Sequence, residues 1–338
     1  MKALRYLNPD NLETQDIPTP VCGAGEALIR VHSAGICGTD LAIAAGKHPR
    51  ASAPLVMGHE FAGQVIEIQP GSVPTDLAVG DTVTAYPLLV CGQCWACTNG
   101  CEHVCRNLRL IGIDRDGAFA EYVSVPLDLV MKLPDNLTYE QGALIEPLAV
   151  GIHAVAMADA ASCRSAVVIG AGPIGLLVGL CLRNAGVSNI IMTESDVHRR
   201  IRAENLGFDV FDSEEDRVTD EVNRVTGNEG ADMVFECAGT LSAAHRMCQL
   251  VRTRGKVVVV GVHKEPHPVD LQTLNFREIT MIGTRVYTRG DFQKALQVIG
   301  DLPVEELISH KIPIDNASQG FQLIKKPEDV CKVIIQME

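Results

Sequence analysis

The hydrophobic and polar positions over residues 1–152 follow a strand-like pattern. Apolar or alternating segments are separated by glycine, proline and aspartate, as in EALIRVHSAG, EFAGQVIEIQ, GDTVTAYPLL and FAEYVSVP. Alternation with a period of two, bounded by turn residues, is typical of half-buried β-strands. This part of the chain is therefore predicted to form an all-β body with loop insertions.

From about residue 153 the pattern changes to apolar runs that alternate with helical segments. SAVVIGAG, NIIMTES, ADMVFECAG, KVVVVGVH and ITMIGTR predict strands, and PIGLLVGLCLRNAG, DVHRRIRAENLG and TLSAAHRMCQLVRTRG predict helices. Continuous apolar strands that alternate with helices indicate a doubly wound parallel sheet covered on both faces. The end of the chain returns to a mixed pattern and finishes in the apolar strand CKVIIQM.

These patterns divide the chain into two domains, one of them discontinuous in sequence. We predict a β-rich domain over residues 1–152, a doubly wound domain over 153–285, and a return of residues 286–338 to the first domain. A chain of 338 residues is long enough for two domains that each bury a core. The predicted fold class is α/β.

Composition and charge narrow the classes of partner. The chain is 46% hydrophobic and 21% charged, as globular proteins are, and its net charge is −13. This negative charge argues against nucleic acid as a partner. No apolar run reaches the roughly 18 residues of a membrane span, and the N-terminal MKALRYLNPD lacks the apolar run of a signal peptide. We expect a cytoplasmic protein with no nucleic-acid and no membrane partner.

A glycine-rich turn, GAGPIG, follows one predicted strand and opens a helix. Gly170 permits the tight turn, Gly172 lets the backbone approach a pyrophosphate, and Gly175 allows close helix packing. Pro173 and Ile174 would begin the helix, whose free N–H groups attract phosphates. The turn therefore predicts a dinucleotide site.

The strand after this turn ends in Glu194. A carboxylate at that position accepts hydrogen bonds from the adenosine ribose hydroxyls and repels the 2′-phosphate of NADP. NAD is therefore the predicted cofactor, although Arg199 and Arg200 on the next helix would weaken the preference.

Five cysteines lie within the fifteen residues CGQCWACTNGCEHVC, residues 91–105. Cys91, Cys94, Cys97 and Cys105 have the spacing that brings four thiolates around one tetrahedral ion, which leaves Cys101 as the spare. A disulfide is not expected in a reducing compartment, and the strand–helix context of a thioredoxin-like site is missing. The loop is therefore predicted to hold a structural zinc ion.

Three other stretches carry residues that can bind a metal or a proton: GICGTD, GHEFAG and IEPLAV. A catalytic zinc usually has three protein ligands from cysteine, histidine and carboxylates and keeps one position open. Each residue alone also fits a simpler interpretation. Cys37 is typical of a core, His59 of a satisfied buried polar group, and Glu146 before Pro147 of a surface turn.

Taken in order, these stretches give a more specific result. ICGTD, GHEFAG with GDTV after it, the four-cysteine loop and GAGPIG occur together, and the chain resembles the zinc-dependent medium-chain dehydrogenases of the alcohol dehydrogenase superfamily over nearly its whole length. EPLAVGIHA resembles the sorbitol and threonine dehydrogenase branch. The resemblance implies an N-terminal GroES-like domain, a Rossmann domain, and a homodimer or homotetramer.

The resemblance also implies roles for individual residues. Cys37, His59 and Glu60 would bind a catalytic zinc ion, so that each chain holds two zinc ions. Glu146 would lie beside the metal, and Thr39 would receive the substrate proton. The cofactor would contact the glycine turn, Glu194, Arg199, Gly261, Val262 and Arg285, and Arg285 lies where relatives reach into the cleft between domains.

One departure from the family concerns the proton path. Relatives often have a relay histidine five residues after the zinc cysteine, where this chain has Ala42. The proton would then leave through Thr39 and ribose hydroxyls or water, or His48 would substitute.

These features predict an enzyme that oxidises a secondary hydroxyl of a polyol, diol or sugar acid with NAD. Oxygen-rich ligands suit a substrate with several hydroxyls, and Arg285 could pair with a substrate carboxylate. An alternative is oxidation of an amino alcohol, as in threonine dehydrogenase. A third hypothesis, a catalytically silent NAD-binding protein, gives no reason to keep Cys37, His59, Glu60, Glu146 and Thr39 together.

Overall fold

A computed structural model describes residues 1–71, 75–160, 163–213, 217–326 and 329–337. The chain forms two compact units, Met1–Glu146 with Thr288–Glu338, and Pro147–Tyr287. The first division lies between residues 146 and 147, within one helix, Tyr139–Met157. The second division lies between residues 287 and 288, where 285/286 was predicted.

The N-terminal part of the first unit is rich in strands, as its alternating pattern predicts. Its strands are β1 Lys2–Asn8, β2 Asn11–Asp16, β3 Glu26–Gly35, β4 Leu55–Val56, β5 Glu60–Ile68, β6 Thr82–Ala85, β7 Leu88–Leu89, β8 Arg109–Leu110, β9 Tyr122–Pro126 and β10 Val130–Lys132. Its helices are α1 Gly38–Ala44 and α2 Trp95–Thr98, and α3 Tyr139–Met157 begins in this unit and ends in the second.

The second unit alternates strands with helices. Its strands are β11 Ser165–Ile169, β12 Asn189–Glu194, β13 Asp209–Asp212, β14 Ala231–Glu236, β15 Val251–Val259 and β16 Thr280–Gly283. Its helices are α4 Pro173–Asn184, α5 Val197–Asn205, α6 Arg217–Thr226, α7 Leu241–Leu250 and α8 Leu271–Phe276. The chain then re-enters the first unit with α9 Arg289–Val298, β17 Ile308–Pro313, α10 Ala317–Leu323 and β18 Lys332–Gln336.

The main sheet of the first unit joins the two ends of the chain. Its strand order is β10-β6-β5-β3-β18-β17, and β9 also pairs with β3. The C-terminal strand β18 runs antiparallel to β3, with Ile334 opposite Gly35. Gly35 in turn faces Glu60 of β5. The last residues of the chain are therefore fixed beside the GHE stretch, as the return of the C-terminal segment predicts.

The sheet of the second unit is parallel, with strand order β13-β12-β11-β14-β15-β16. The order reverses between β11 and β14, and ligands of such sheets bind beyond the carboxyl ends of the strands at that point. Buried apolar residues such as Val167, Val234 and Val257 form the core on this sheet. The predicted fold class, mixed α/β with a doubly wound sheet, is confirmed.

Two local predictions are wrong. The segment VRTRG was assigned to a helix, but α7 ends at Leu250 and Val251 begins β15, because Val251 pairs with Ala231 of β14. The surface-turn interpretation of Glu146 also fails, because Glu146 is buried within α3, which contains Pro147. None of the helices in the described ranges is long and apolar enough to cross a membrane.

Candidate active site and metal clusters

Three candidate ligands, Cys37, His59 and Glu60, converge in the first unit. One ligand atom from each lies within 4.8 Å of the other two. Cys37 caps the N-terminus of α1, His59 immediately precedes β5, and Glu60 is its first residue. The pairing of β3 with β5 brings these segments together, so residues distant in sequence form one compact group.

Glycines make room for this group. Gly58, which precedes His59, has a φ of 98°, and a Cβ there would lie 2.6 Å from the Phe119 ring. Gly35 faces Glu60 across the sheet, and a Cβ at Gly35 would overlap the Glu60 carboxylate. Both positions therefore require glycine, one for its conformation and both for close approach.

Asp40 supports the histidine from behind. It is fully buried in α1, its Oδ2 accepts the Cys37 N–H at 2.8 Å, and its Oδ1 lies 3.8 Å from His59 Nδ1. Burial raises the pKa of Asp40 to about 6, while the neighbouring His59 opposes this rise. A carboxylate behind a ligating histidine fixes the ring orientation in many metal sites. The sequence interpretation gave Asp40 no role of its own.

Lys332 of β18 reaches the opposite side of the group. Its Nζ lies 2.5 Å from Glu60 Oε2 and donates to the Ile36 carbonyl at 3.1 Å. Both charged side chains are buried, with 3% of Lys332 and 1% of Glu60 exposed. Although burial opposes it, the charges of Glu60 and Cys37 raise the pKa of Lys332 above its ordinary value. Sequence reasoning missed this lysine.

Of the two predicted catalytic residues, Glu146 is not part of the set within 4.8 Å, and Thr39 follows Cys37 in sequence. Glu146 is buried in α3, and its charge raises the pKa of both His59 and Lys332. Thr39 is half-buried in the first turn of α1, two residues after Cys37. His48 follows α1, and its Nδ1 accepts the N–H groups of Arg50 and Ala51. This leaves the proton of a neutral His48 on Nε2.

The donor set fits a zinc ion. A thiolate, an imidazole nitrogen and a carboxylate oxygen are the ligand types of catalytic zinc sites. Within the described part of the chain, buried Nδ1 of His59 and Oδ1 of Asp40 have no hydrogen-bond partner. These two atoms lie 3.8 Å from each other, so the fit of a metal rests on the chemistry of the three donor side chains. The residues present therefore suit a metal, with Cys37, His59 and Glu60 as its holders.

The second cluster consists of four cysteines from one loop. Cys91, Cys94, Cys97 and Cys105 have ligand sulfurs within 4.8 Å of one another. Neighbouring sulfurs lie 3.5 Å apart for Cys94 and Cys97, and 3.5 Å apart for Cys91 and Cys105. All four are free thiols. Cys101 is not part of the group, as its place in the spacing predicts.

The protonation of these thiols also suits a cation. Backbone N–H groups of Cys97 and Arg106 lower the pKa of Cys94 to about 6, and those of Gln93 and Cys94 lower the pKa of Cys91. Desolvation and the neighbouring sulfurs raise the pKa of Cys97 to about 12. Four thiolates this close repel one another. A bound cation that prefers four sulfur ligands in a tetrahedron would remove this repulsion.

The predicted dinucleotide site lies at the carboxyl ends of strands in the second unit. Gly170 has a φ of 100°, and a Cβ at Gly175 would overlap the Gly170 carbonyl. A Cβ at Gly172 would meet only the Arg199 guanidinium, at 3.7 Å, among the described residues. Gly172 also caps α4 without a side-chain hydrogen bond, and Pro173 begins the helix. The first-turn N–H groups are therefore available to a phosphate.

Glu194 lies beside this turn. Its Oε2 accepts the Ala171 N–H at 2.9 Å, and its Oε1 accepts the Asp196 N–H at 3.0 Å. The Arg199 Nη1 lies 4.0 Å from Glu194 Oε2. The carboxylate thus fixes the shape of the glycine turn, and the arginine balances part of its charge.

Another buried carboxylate, Glu236, ties together the ends of β14 and β15. It accepts N–H groups from Ala238 and Gly239 and lies 2.9 Å from His263 Nε2. A Cβ at Gly261 would lie 2.5 Å from the Gly239 nitrogen. Sequence reasoning singled out Gly261 but missed Glu236, whose only signal is an acidic residue at the end of an apolar strand.

Two further predicted cofactor residues follow strand ends. Val262 is exposed after β15, and Arg285 is exposed after β16. Val286, next to Arg285, has a φ of 45°, which is strained for a β-branched residue. Ile174 is half-buried in the first turn of α4.

Comparison with known proteins places these sites in a family. The GroES-like domain of alcohol dehydrogenases matches residues 23–135, and the zinc-binding dehydrogenase model matches residues 173–301. A 2-dehydro-3-deoxy-L-galactonate 5-dehydrogenase of Pseudoalteromonas atlantica is 36% identical over 88% of this chain and 87% of its own. An L-threonine 3-dehydrogenase of a Chelativorans species is 32% identical over 97% of this chain and 96% of its own.

The solved structures agree. A zinc-binding dehydrogenase of Sinorhizobium meliloti 1021, bound to NADP, is 32% identical and superposes with a TM-score of 0.91 over 99% of this chain and 98% of that one. The GroES-like and Rossmann assignments are confirmed. The chain therefore belongs to the zinc-dependent medium-chain dehydrogenases of the alcohol dehydrogenase superfamily, and it is an NAD(P)-linked oxidoreductase that acts on the CH–OH group of an alcohol.

Proposed function

We propose that this protein oxidises a secondary hydroxyl of a sugar acid, polyol or diol to the ketone, with NAD as the cofactor. The observation that carries the proposal is the group of Cys37, His59 and Glu60 within 4.8 Å, with Thr39 on the same helix as Cys37. Among the three substrate classes we favour the sugar acids, because the relative at 36% identity is a dehydrogenase of a deoxygalactonate.

Each residue has a defined task in this proposal. Cys37, His59 and Glu60 hold a catalytic zinc ion, and the loop cysteines hold a structural one. When bound, the zinc supplies a Lewis acid that makes a hydroxyl more acidic, and the nicotinamide accepts a hydride. Thr39 Oγ1 accepts the proton of the substrate hydroxyl, and Glu146 orients the substrate or a water.

The proton then leaves the site by a path without the usual relay histidine, since Ala42 occupies that position. Thr39 and ribose hydroxyls or water carry the proton in this proposal. His48 is not a suitable acceptor, because its Nδ1 accepts two backbone N–H groups and the Nε2 of the neutral ring already carries a proton.

The test is NADH formation by the zinc-loaded protein across aldonates, deoxyaldonates, polyols, vicinal diols and threonine. The proposal predicts turnover of a hydroxy acid with one stereochemistry. Thr39→Val should lower kcat by about 10²–10⁴-fold, and Thr39→Ser should restore most of it, since only the valine lacks the hydroxyl. Equal activity of the two variants would contradict the role of Thr39.

Arg285 is proposed to pair with the substrate carboxylate. Arg285→Met should lower kcat/KM for sugar acids about tenfold or more, the value of a charge-assisted hydrogen bond, and leave neutral polyols nearly unchanged. Arg224→Met, which removes an exposed arginine paired with Glu221, is the matched control. Equal losses on acids and polyols would remove the carboxylate-pairing role.

NAD is preferred over NADP in this proposal because Glu194 ends β12. The neighbouring Arg199 limits the preference, and the Sinorhizobium relative is bound to NADP. The ratio of kcat/KM for NAD and NADP tests it, with Glu194→Ala expected to shift the ratio towards NADP. An unchanged ratio in this variant would rule out Glu194 as the selector.

Threonine oxidation is the second candidate. It is favoured by the threonine dehydrogenase at 32% identity over 97% of the chain. Turnover of threonine with no turnover of any hydroxy acid or polyol would select it.

The protein is also proposed to form a homodimer or homotetramer and to act in the cytoplasm. Light scattering after gel filtration tests the assembly, and a monomer would contradict it.

A further inference from the structure

Metal binding by Cys37, His59 and Glu60 does not by itself require the ion pair that Glu60 forms with Lys332. Lys332 and Glu60 form a contact of 2.5 Å between Nζ and Oε2, and both side chains are buried. The lysine makes a second bond, to the Ile36 carbonyl, at 3.1 Å. Burying two charges is costly unless their geometry is good and their remaining atoms are satisfied. A carboxylate needed only as a metal ligand would not require this lysine.

The backbone fixes the lysine in place. Lys332 begins β18, which pairs with β3 so that Ile334 faces Gly35. Gly35 is the partner of Glu60, and its missing Cβ leaves the space that Glu60 Oε2 occupies. Lysine, glycine and glutamate therefore lie on three adjacent strands of one sheet, and the carboxylate has little freedom to turn away from Nζ.

The charges around the site explain what the lysine does. Cys37, Asp40, Glu60 and Glu146 are anionic when ionised, and Lys332 is the cation in contact with Glu60. A zinc ion held by Cys37, His59 and Glu60 would share Glu60 with that ammonium group. Two cations then compete for one carboxylate, and each oxygen given to the lysine is withheld from the metal.

We propose that Lys332 is a positioning residue that retains Oε2 of Glu60, so that the carboxylate binds the catalytic metal through one oxygen and leaves a position open for substrate. The inference rests on the proposed metal site and adds a regulator of its affinity. An open position is what separates catalytic from structural zinc sites.

The test measures the metal itself. In Lys332→Met the carboxylate is free to bind zinc with both oxygens, and the repelling charge is gone. We expect zinc to leave this site to a chelator about tenfold more slowly. The size matches the effect of other outer partners of metal ligands, but the direction is opposite because Lys332 is a cation that competes for Glu60. Zinc should also raise the melting temperature of Lys332→Met more than that of the unaltered protein, because only the metal compensates Glu60 in the variant. Turnover should fall.

Cobalt substitution gives a spectroscopic readout. With Co²⁺ in place of zinc, Lys332→Met should show weaker visible absorption, as expected when coordination rises from four to five. Lys332→Arg, which keeps the charge, should resemble the unaltered protein in chelation rate and spectrum. Lys256→Met removes a half-buried lysine of the other unit that donates to the Ala158 carbonyl, and it is the control for loss of a lysine that lies away from the metal site.

A double variant isolates the pair. In Lys332→Met with Glu60→Gln, the slow release of zinc should disappear, because no carboxylate remains to take up the metal. Should Lys332→Met not fold without zinc, Lys332→Gln keeps a donor without the charge and should show slower release in the same direction.

The outcomes separate this inference from the proposed function. Zinc release that is unchanged or faster in both the methionine and glutamine variants would overturn the inference, while the metal site would stand. An unaltered protein that binds only one zinc ion, with no loss in Cys37→Ser, would overturn the metal site and the inference with it. Slower release, a larger zinc-dependent rise in melting temperature and the cobalt change together would establish it.

Discussion

The two metal clusters of the first unit are built in opposite ways. The loop cluster takes all four sulfurs from residues 91–105, and its partners in space are neighbours in sequence. The other cluster joins Cys37 at a helix start, His59 and Glu60 at a strand start, and Lys332 from the C-terminal strand. Glu60 and Lys332 are 272 positions apart.

This difference has a physical consequence. A local loop with four thiols has no stable arrangement of its own unless a cation joins them, so metal binding and local folding are one event. The Cys37 group is held by a paired sheet that exists without the metal. We therefore expect loss of the loop metal mainly to lower stability. Loss of the metal held by Cys37, His59 and Glu60 should mainly lower activity, with a smaller loss of stability.

The largest effect that would sharpen the contrast is expected for Cys37→Ser. This change removes a ligand of the proposed catalytic zinc. A bound zinc lowers the activation free energy by several kcal/mol, so its loss should lower kcat about 10³-fold or more. The melting temperature should fall less than in Cys94→Ser, because the sheet that holds Cys37 remains paired and only the binding energy of the metal is lost. Enzyme assays, zinc analysis and calorimetry check this. A large loss of stability would make the two clusters alike.

The next effect is on stability, in the loop. Cys94→Ser removes a buried sulfur that contacts Cys97 and Cys105. Loss of a structural metal is among the changes that lower the free energy of unfolding by about 4 kcal/mol or more. Cys101→Ser is the matched control, since Cys101 lies in the same loop outside the cluster. Denaturant unfolding of both variants measures the difference, and equal stability would argue against a structural ion.

The smallest effect is expected at Asp40. Asp40→Asn keeps the size and can still accept the Cys37 N–H, but it loses the charge behind His59. Removing such a partner should lower zinc affinity or activity about 10–100-fold, without the complete loss seen for Cys37. Competition with a chelator measures the affinity. Unchanged affinity would show that His59 is oriented by the sheet alone.

The two clusters differ in how much of their structure can be predicted from the sequence. The loop spacing, the glycine turn and the parallel sheet are encoded in adjacent residues, so periodicity and spacing predict them. The assignments of Cys37, His59 and Glu60 depended on family resemblance, since each residue alone fits a core or surface role. Lys332 could not be found, because an apolar strand with one lysine at its start predicts a solvent-exposed charge, and only the β3–β18 register buries it.

The helix boundaries show the same limit. The start of α4 follows from Gly172 and Pro173, a local signal. The end of α7 at Leu250 does not, because Val251 pairs with Ala231 of β14, and residues 252–255 form an irregularity before the pairing resumes at Lys256. Tertiary pairing there overrides the local pattern.

The central claim is that one cluster serves structure and the other serves catalysis. Trp95, the single tryptophan of the chain, lies inside the four-cysteine loop and is 73% exposed, so its fluorescence reports that loop. A chelator titration should follow Trp95 emission and NADH formation in one sample. The account predicts that activity is lost while Trp95 emission is unchanged, and that emission changes only in a later, slower phase. Simultaneous loss of both signals in a single phase would contradict it.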